Sequence, residues 1–342
     1  MNSVTRILNT LALKPVDYVP VIPLIIQHSL DLAHVTNDMY CQHSSEMTKA
    51  LMALQDYYNF DSIYVSSDNF IYAQAFGGDL IFPHDATPQL ATHPFEKELP
   101  KNMPKLDFSK GRMHVILEST DILREHYNES IFIKTNIDSA PFSTAASLRS
   151  PEKLMLDLYD ETDRLHDLLK MSTDAVISYG FRAAEAGAHG LAFGDSVAGL
   201  LNHELYQNFV LPYTRFAIQV LKNETNLPIF YHICGNTNHI LDLMIETGAD
   251  CIEVDSTVDL DKCQFLAQGK CAIEGNIDTI NTFYQGTPAD VRKAANNLLK
   301  RFENTSGFIL SSGCEIPRYT PTDNISEMVR SAKEFKYSIN IK

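Results

Sequence analysis

Leu227-Pro-Ile-Phe-Tyr-His-Ile-Cys-Gly235 is an apolar run that ends in an imidazole, a thiol and a glycine. A short stretch rich in β-branched and aromatic residues, bounded by Pro and Gly, reads as a buried strand. Side chains alternate across a strand, so His232 and Cys234 share one face while Ile229, Tyr231 and Ile233 take the other. About 80 residues later Gly307-Phe-Ile-Leu310 leads into Ser311-Ser-Gly-Cys-Glu-Ile-Pro317, a second strand that ends in a thiol.

The same rhythm runs through the chain. Candidate strands fall at residues 18–24, 62–68, 131–138, 190–195, 228–234, 250–255, 270–276 and 308–314, eight in all. Helical patterns lie between them at 46–58, 151–185, 204–222, 238–247 and 288–303, several introduced by Ser, Thr or Asn at a cap position. Eight strand–helix units predict an α/β fold of the (β/α)8, TIM-barrel type, a single domain over 1–342 with an N-terminal helical extension. Two doubly wound halves would want a linker near the middle rich in Pro, Gly or Ser, and none is visible. Gly77-Gly78 reads as a hairpin or loop, because no phosphate-binding fingerprint follows it.

Composition narrows the function classes. The chain has 342 residues, 44% of them apolar, enough for a large core. A formal charge of −15, spread along the chain, argues against nucleic acid as a partner. With no apolar stretch approaching about 18 residues and no charged segment leading into an apolar one at the start, neither a membrane span nor a signal peptide is expected. A cytoplasmic location follows as the expectation. Six cysteines without framework spacing suit a reducing compartment in which thiols pack or bind metal. A homodimer is compatible with the chain, and the sequence does not set the oligomeric state.

Barrel active sites sit at the carboxyl ends of strands. Those ends are polar here: Asp68, Asp138, Asp195, His232 with Cys234, Glu253 with Asp255, Asn276 and Cys314. A His-X-Cys pair alone is weak, since buried cysteines and satisfied histidines are common. Cys314, brought to the same rim by the last strand, completes a set of three soft donors for zinc with one coordination position open. Such a site activates thiols, because a sulfur ligand entering it binds as thiolate. Glu253 or Asp255 could fill the fourth position at rest. Asp195 and Asp255 are the expected catalytic carboxylates, weighed against a helix-capping role, and Asn276 and Asp68 are the expected cofactor contacts. Gly275 before Asn276 either lets backbone approach a ligand or serves a turn. Cys41, Cys251, Cys263 and Cys271 read as structural, as do most histidines, with His28 a weak candidate for the mouth.

These residues resemble the uroporphyrinogen decarboxylase superfamily, within it the zinc-dependent methylcobamide:coenzyme M methyltransferase branch. The resemblance runs through Asp17-Tyr-Val-Pro20, Ala140-Pro-Phe142, Asp195-Ser196, Phe209-Val-Leu-Pro-Tyr213, His232-Ile-Cys-Gly235, Glu274-Gly-Asn-Ile-Asp278 and Gly313-Cys-Glu-Ile-Pro317. It implies zinc on His232, Cys234 and Cys314, and methyl transfer from a methylated corrinoid, borne by a carrier protein or free, to a thiol such as coenzyme M. The same family implies two alternatives: transfer from a small methylated donor to a corrinoid protein, and decarboxylation of uroporphyrinogen. The decarboxylase pattern carries arginine just after the first strand, where this chain reads Ile22-Pro-Leu-Ile-Ile-Gln-His-Ser29. Thr279 stands where Pro often follows the Gly-Asn-Ile-Asp element.

Overall fold

A computed structural model describes residues 1–335, so the last seven residues of the expected domain lie outside the described part. Strand β1 (Ser62–Val65) is followed by a small antiparallel pair, β2 (Leu80–Ile81) and β3 (Gln89–Leu90), entered just after Gly77-Gly78. Then come β4 (Phe132–Ser139), β5 (Gly190–Gly194), β6 (Ile229–Ile233), β7 (Cys251–Val254), β8 (Ala272–Ile277) and β9 (Phe308–Ser312). Strands β1 and β4 to β9 form one parallel sheet in sequence order, with helices in the connections.

The first expected strand, 18–24, takes its place between β9 and β1 but is reduced to one parallel bridge, Val21 to Leu310. Leu310 N donates to Pro20 O at 2.9 Å, Ile22 N to Leu310 O at 3.1 Å, and Asp61 N to Val21 O at 3.1 Å. The ring is therefore closed as a (β/α)8 barrel. Pro20 and Pro23 have no N–H to give, which stops the ladder on both sides of the bridge. Two expected helices divide: 151–185 into Pro151–Asp160 and Thr162–Glu185, and 204–222 into His203–Phe209 and Leu211–Thr225. In the second case Pro212 sits in the first turn of the new helix, where its missing N–H costs nothing.

The N-terminal extension is the helix Ser3–Leu11, capped by the Asn2 side chain, which accepts from Thr5 N. Its face of Val4, Ile7 and Leu11 packs on Ile22, Phe132, Ala192, Phe230, Cys251, Ala272 and Ile309 and seals the barrel floor. Each such side chain contributes about 1.5–3 kcal/mol by leaving water. Arg6 ties this plug to the ring closure, reaching Asp61 at 2.6 Å and Asp17 at 2.7 Å, while Asp61 Oδ2 accepts from Val21 N at 2.9 Å. Above the floor the two-residue period of each strand lifts polar residues into the interior: Lys134 above Phe132, His232 above Phe230, Glu253 above Cys251 and Glu274 above Ala272. Among the described residues no helix is long and apolar enough to cross a membrane.

Candidate metal centre

His232 is the penultimate residue of β6, and Cys234 directly follows the strand, so the pleat turns both inward at the carboxyl end of the barrel. His232 Nε2 lies 3.0 Å from Cys234 Sγ, which lies 3.6 Å from Cys314 Sγ. One donor atom from each of the three falls within 4.8 Å of the others. A tetrahedral zinc with Zn–S of about 2.3 Å and Zn–N of about 2.0 Å has edges of roughly 3.5–3.8 Å, and the two short edges of the trio come within about half an ångström of that.

Backbone contacts aim these donors. Gly313 passes so close to the loop after β7 that a Cβ there would sit 2.5 Å from Ser256 N, and glycine alone lets Cys314 reach the rim. Cys234 Sγ receives the Ser196 hydroxyl at 3.4 Å, and the next residue, Gly235, donates its N–H to Asp255 Oδ2 at 3.1 Å. A hydrogen bond from the Cys314 thiol, aided by His232 and opposed by burial, holds the Cys234 thiol down at about 4. Burial acts to lower His232, but Cys234 and Glu253 outweigh it and raise the imidazole to about 9. Cys314 is driven upward, chiefly by Cys234. Thiolate, imidazolium and thiol thus crowd one point, and a dication among them would take the place of their protons.

Beneath the donors lies a charged layer. His232 Nδ1 faces Glu253 Oε2 at 3.7 Å without a hydrogen bond. Glu253 Oε1 is 2.5 Å from Lys134 Nζ, which also donates to Glu274 Oε1 at 3.0 Å and Oε2 at 3.1 Å. Lys134 is kept charged because the two carboxylates outweigh its burial. Burial, reinforced by Glu253 and opposed by Lys134, pushes Glu274 up to about 8. Orienting a metal-bound imidazole through a carboxylate on its other nitrogen is a common arrangement, and Glu253 is placed for it.

The donors form one wall of a cavity of about 340 Å³ lined also by Tyr64, Ser66, Asp68, Asn136, Asp138, Ser196, Glu253 and Glu315. Asp68, expected as a cofactor contact, lines it, but Arg112 grips both its oxygens at 2.6 and 2.7 Å. Asp195, Asp255 and Asn276 are not brought to the cavity. Asp195 is fully buried on the helix side of the strands, accepting from Ser143 N at 2.8 Å and Tyr231 OH at 3.2 Å, and burial raises it to about 6. Asp255 staples two loops, with Oδ2 on Gly235 N and Oδ1 on Ser256 Oγ and Thr257. Asn276 donates to Asp255 O at 3.0 Å. At Gly275 the close approach is to Val254 O, 2.7 Å from a built Cβ, and so to a neighbouring strand. His28 is buried between Tyr58 OH and Arg318 O.

Four residues here escaped the sequence reading: Lys134, Glu274, Asn136 and Ser196. Lys134 and Asn136 sit two apart in the apolar run Ile131-Phe-Ile-Lys-Thr-Asn-Ile137, where the strand period marks them as inward. Ser196 and Glu274 stood inside the Asp195-Ser196 and Glu274-Gly-Asn-Ile-Asp278 motifs but were given no role there.

The uroporphyrinogen decarboxylase (URO-D) pattern matches residues 2–335. Methylcobamide:CoM methyltransferase MtbA of Methanosarcina acetivorans is 31% identical over 70% of this chain and 71% of its own length. Uroporphyrinogen decarboxylase of Paraburkholderia phytofirmans is 32% identical over 56% of this chain and 50% of its own. A solved methyltransferase from Methanosarcina mazei shares the fold with a TM-score of 0.89 at 24% identity, covering 98% of this chain and 99% of its own. Percent identity is similar toward the two named activities, but the methyltransferase match spans 70% of this chain and the decarboxylase match 56%. The chain belongs to the uroporphyrinogen decarboxylase family.

Proposed function

We propose that this protein is a corrinoid-dependent methyltransferase that moves a methyl group from a methylated corrinoid, presented by a separate carrier protein over the barrel mouth, to a thiol activated at zinc held by His232, Cys234 and Cys314. The observation that carries this reading is the convergence of one imidazole and two thiols on the wall of a substrate-sized cavity. Both carboxylates considered for a fourth position are engaged elsewhere, Glu253 by Lys134 and Asp255 by the loops around it. That favours a position left for substrate. Zinc bound there would supply Lewis acidity, so that an entering thiol loses its proton at neutral pH.

The chain's own residues do the remaining work. His232 is aimed by Glu253, which is in turn held by the buried Lys134 and Glu274. Cys234 and Cys314 are fixed by Ser196 and Gly313. Holding the thiol at one wall, beneath a mouth on which the corrinoid docks, turns an encounter of two reactants into a positioned displacement. Decarboxylation of a tetrapyrrole bearing many carboxylates suits the site poorly, because no lysine or arginine lines the cavity among the described residues.

Metal analysis tests the site: about one zinc per chain in the purified protein, lost in Cys234→Ala and in Cys314→Ala, with full retention in both refuting it. Zinc-loaded protein mixed anaerobically with methylcobalamin and a panel of thiols should then show thiol-dependent demethylation of the corrinoid. Zinc without any such change would move the reading to transfer from a small methylated donor.

A further inference from the structure

We propose that the substrate thiol carries a cationic tail, making it an aminoalkyl thiol in place of an anionic one; the inference rests on the thiol-activation reading above. The cavity holding the metal donors is lined by four carboxyl groups, Asp68, Asp138, Glu253 and Glu315, and among the described residues by no lysine or arginine. The nearby cations are already used. Arg112 is clamped by both oxygens of Asp68, Lys134 lies below the cavity between Glu253 and Glu274, and Arg318, four residues past Cys314, is clamped on Asp31. Zinc on two thiolates and a neutral imidazole is itself electrically neutral. Among the described residues neither Asp138 nor Glu315 has a lysine or arginine of its own in ion-pair contact, and Glu315 Oε1 accepts the Gln27 N–H at 3.0 Å.

Hydrogen-bond polarity points the same way. Asn136 is 5% exposed, gives its Nδ2 to Ser66 Oγ at 2.8 Å, and has no donor for its Oδ1. Asp138 is 1% exposed, accepts only from Tyr72 N and the Ser139 hydroxyl, and has φ +69, an unusual conformation for a non-glycine residue, at the carboxyl end of β4. Burial, then Asp68, raise it to about 7, with the backbone of Tyr72, the Ser139 hydroxyl and the more distant Arg112 opposing them only in part. An ammonium group brings three donors and a positive charge to these acceptors. A sulfonate or carboxylate brings only acceptors and a negative charge, and among the described residues no lysine or arginine lines the cavity to receive it.

Three thiols on one two-carbon frame isolate the charge: 2-aminoethanethiol, 2-mercaptoethanol and 2-mercaptoethanesulfonate. Each is titrated at neutral pH into full-length protein loaded with cobalt(II) in place of zinc, and the thiolate-to-cobalt absorption gives its Kd. The aminothiol should bind at least about tenfold more tightly than the sulfonate, roughly 1.4 kcal/mol. Because the thiols differ in intrinsic acidity, their ratio is compared between wild type and the variants Asp138→Asn and Glu315→Gln, where acidity cancels. A ratio narrowed about threefold or more in either variant supports the inference. A sulfonate that binds as tightly as the aminothiol, a neutral thiol that binds most tightly, or a ratio unchanged in both variants overturns it while leaving thiol activation standing. If no thiol changes the cobalt spectrum, thiol activation and this inference fall together.

Discussion

Replacing Lys134 by Met is the sharpest probe of how the barrel interior supports the site. Lys134 has no exposed surface and lies 2.5 Å from Glu253 and 3.0 Å from Glu274, whose side chains are 3% and 0% exposed. Methionine fills much the same space but leaves two carboxyl groups facing each other with no cation. Removing one partner of a buried ion pair costs about 3–5 kcal/mol, because the remaining charge stays desolvated. At about 2–4 °C per kcal/mol for a large domain, the melting temperature should fall by about 6–20 °C. Adding Glu274→Gln removes one of the stranded carboxylates, so the double variant should recover about 1–3 kcal/mol of the loss. Glu253, no longer held, would also stop orienting His232 Nδ1, and metal affinity measured by competition with a chromophoric chelator should drop about 10–100-fold. Urea and thermal unfolding at pH 7 provide the assay. A Lys134→Met protein that melts within about 2 °C of wild type, or a double variant no more stable than the single one, would refute the buried charged layer.

Three further outcomes are expected. Asp195 is raised from 3.8 to about 6 by burial, so the stability it confers is complete below about pH 4 and is lost as pH rises through 6; relative to Asp195→Asn the wild type should lose about 3 kcal/mol across that window in urea unfolding, and parallel curves would rule this out. With metal removed, Cys234, held as thiolate down to about pH 4, should be the first cysteine alkylated by iodoacetamide at pH 6, and zinc should protect it; peptide mapping that finds Cys41, Cys263 or Cys271 modified first would contradict the site electrostatics. Gly313→Ala puts a methyl against Ser256 N at 2.5 Å, so it should cost about 1–3 kcal/mol and at least about tenfold in metal affinity, whereas unchanged chelator competition would show that Cys314 reaches the rim without that close passage.

Much of the molecule was legible along the chain. The recurrence of apolar runs ending in polar residues carried the barrel, because a parallel strand buried on both faces must be apolar until its carboxyl end reaches the mouth. The two-residue period placed His232 with Cys234 on one face, but it did not carry from Glu253 to Asp255, because β7 ends at Val254 and Asp255 turns onto the neighbouring loops. What the chain could not show is which partner an inward or rim carboxylate finds. Asp195 and Asp255 look alike as strand ends, yet one is pulled toward Tyr231 and Ser143 and the other onto the loop at Gly235. Lys134 and Glu274 are 140 residues apart and meet only because ring closure brings their strands across the same interior. The tertiary structure alone decided the charge of the cavity. Its lining comes from strands scattered over the whole chain, and whether a cation such as Arg112 is free or already clamped depends on contacts that no local pattern records.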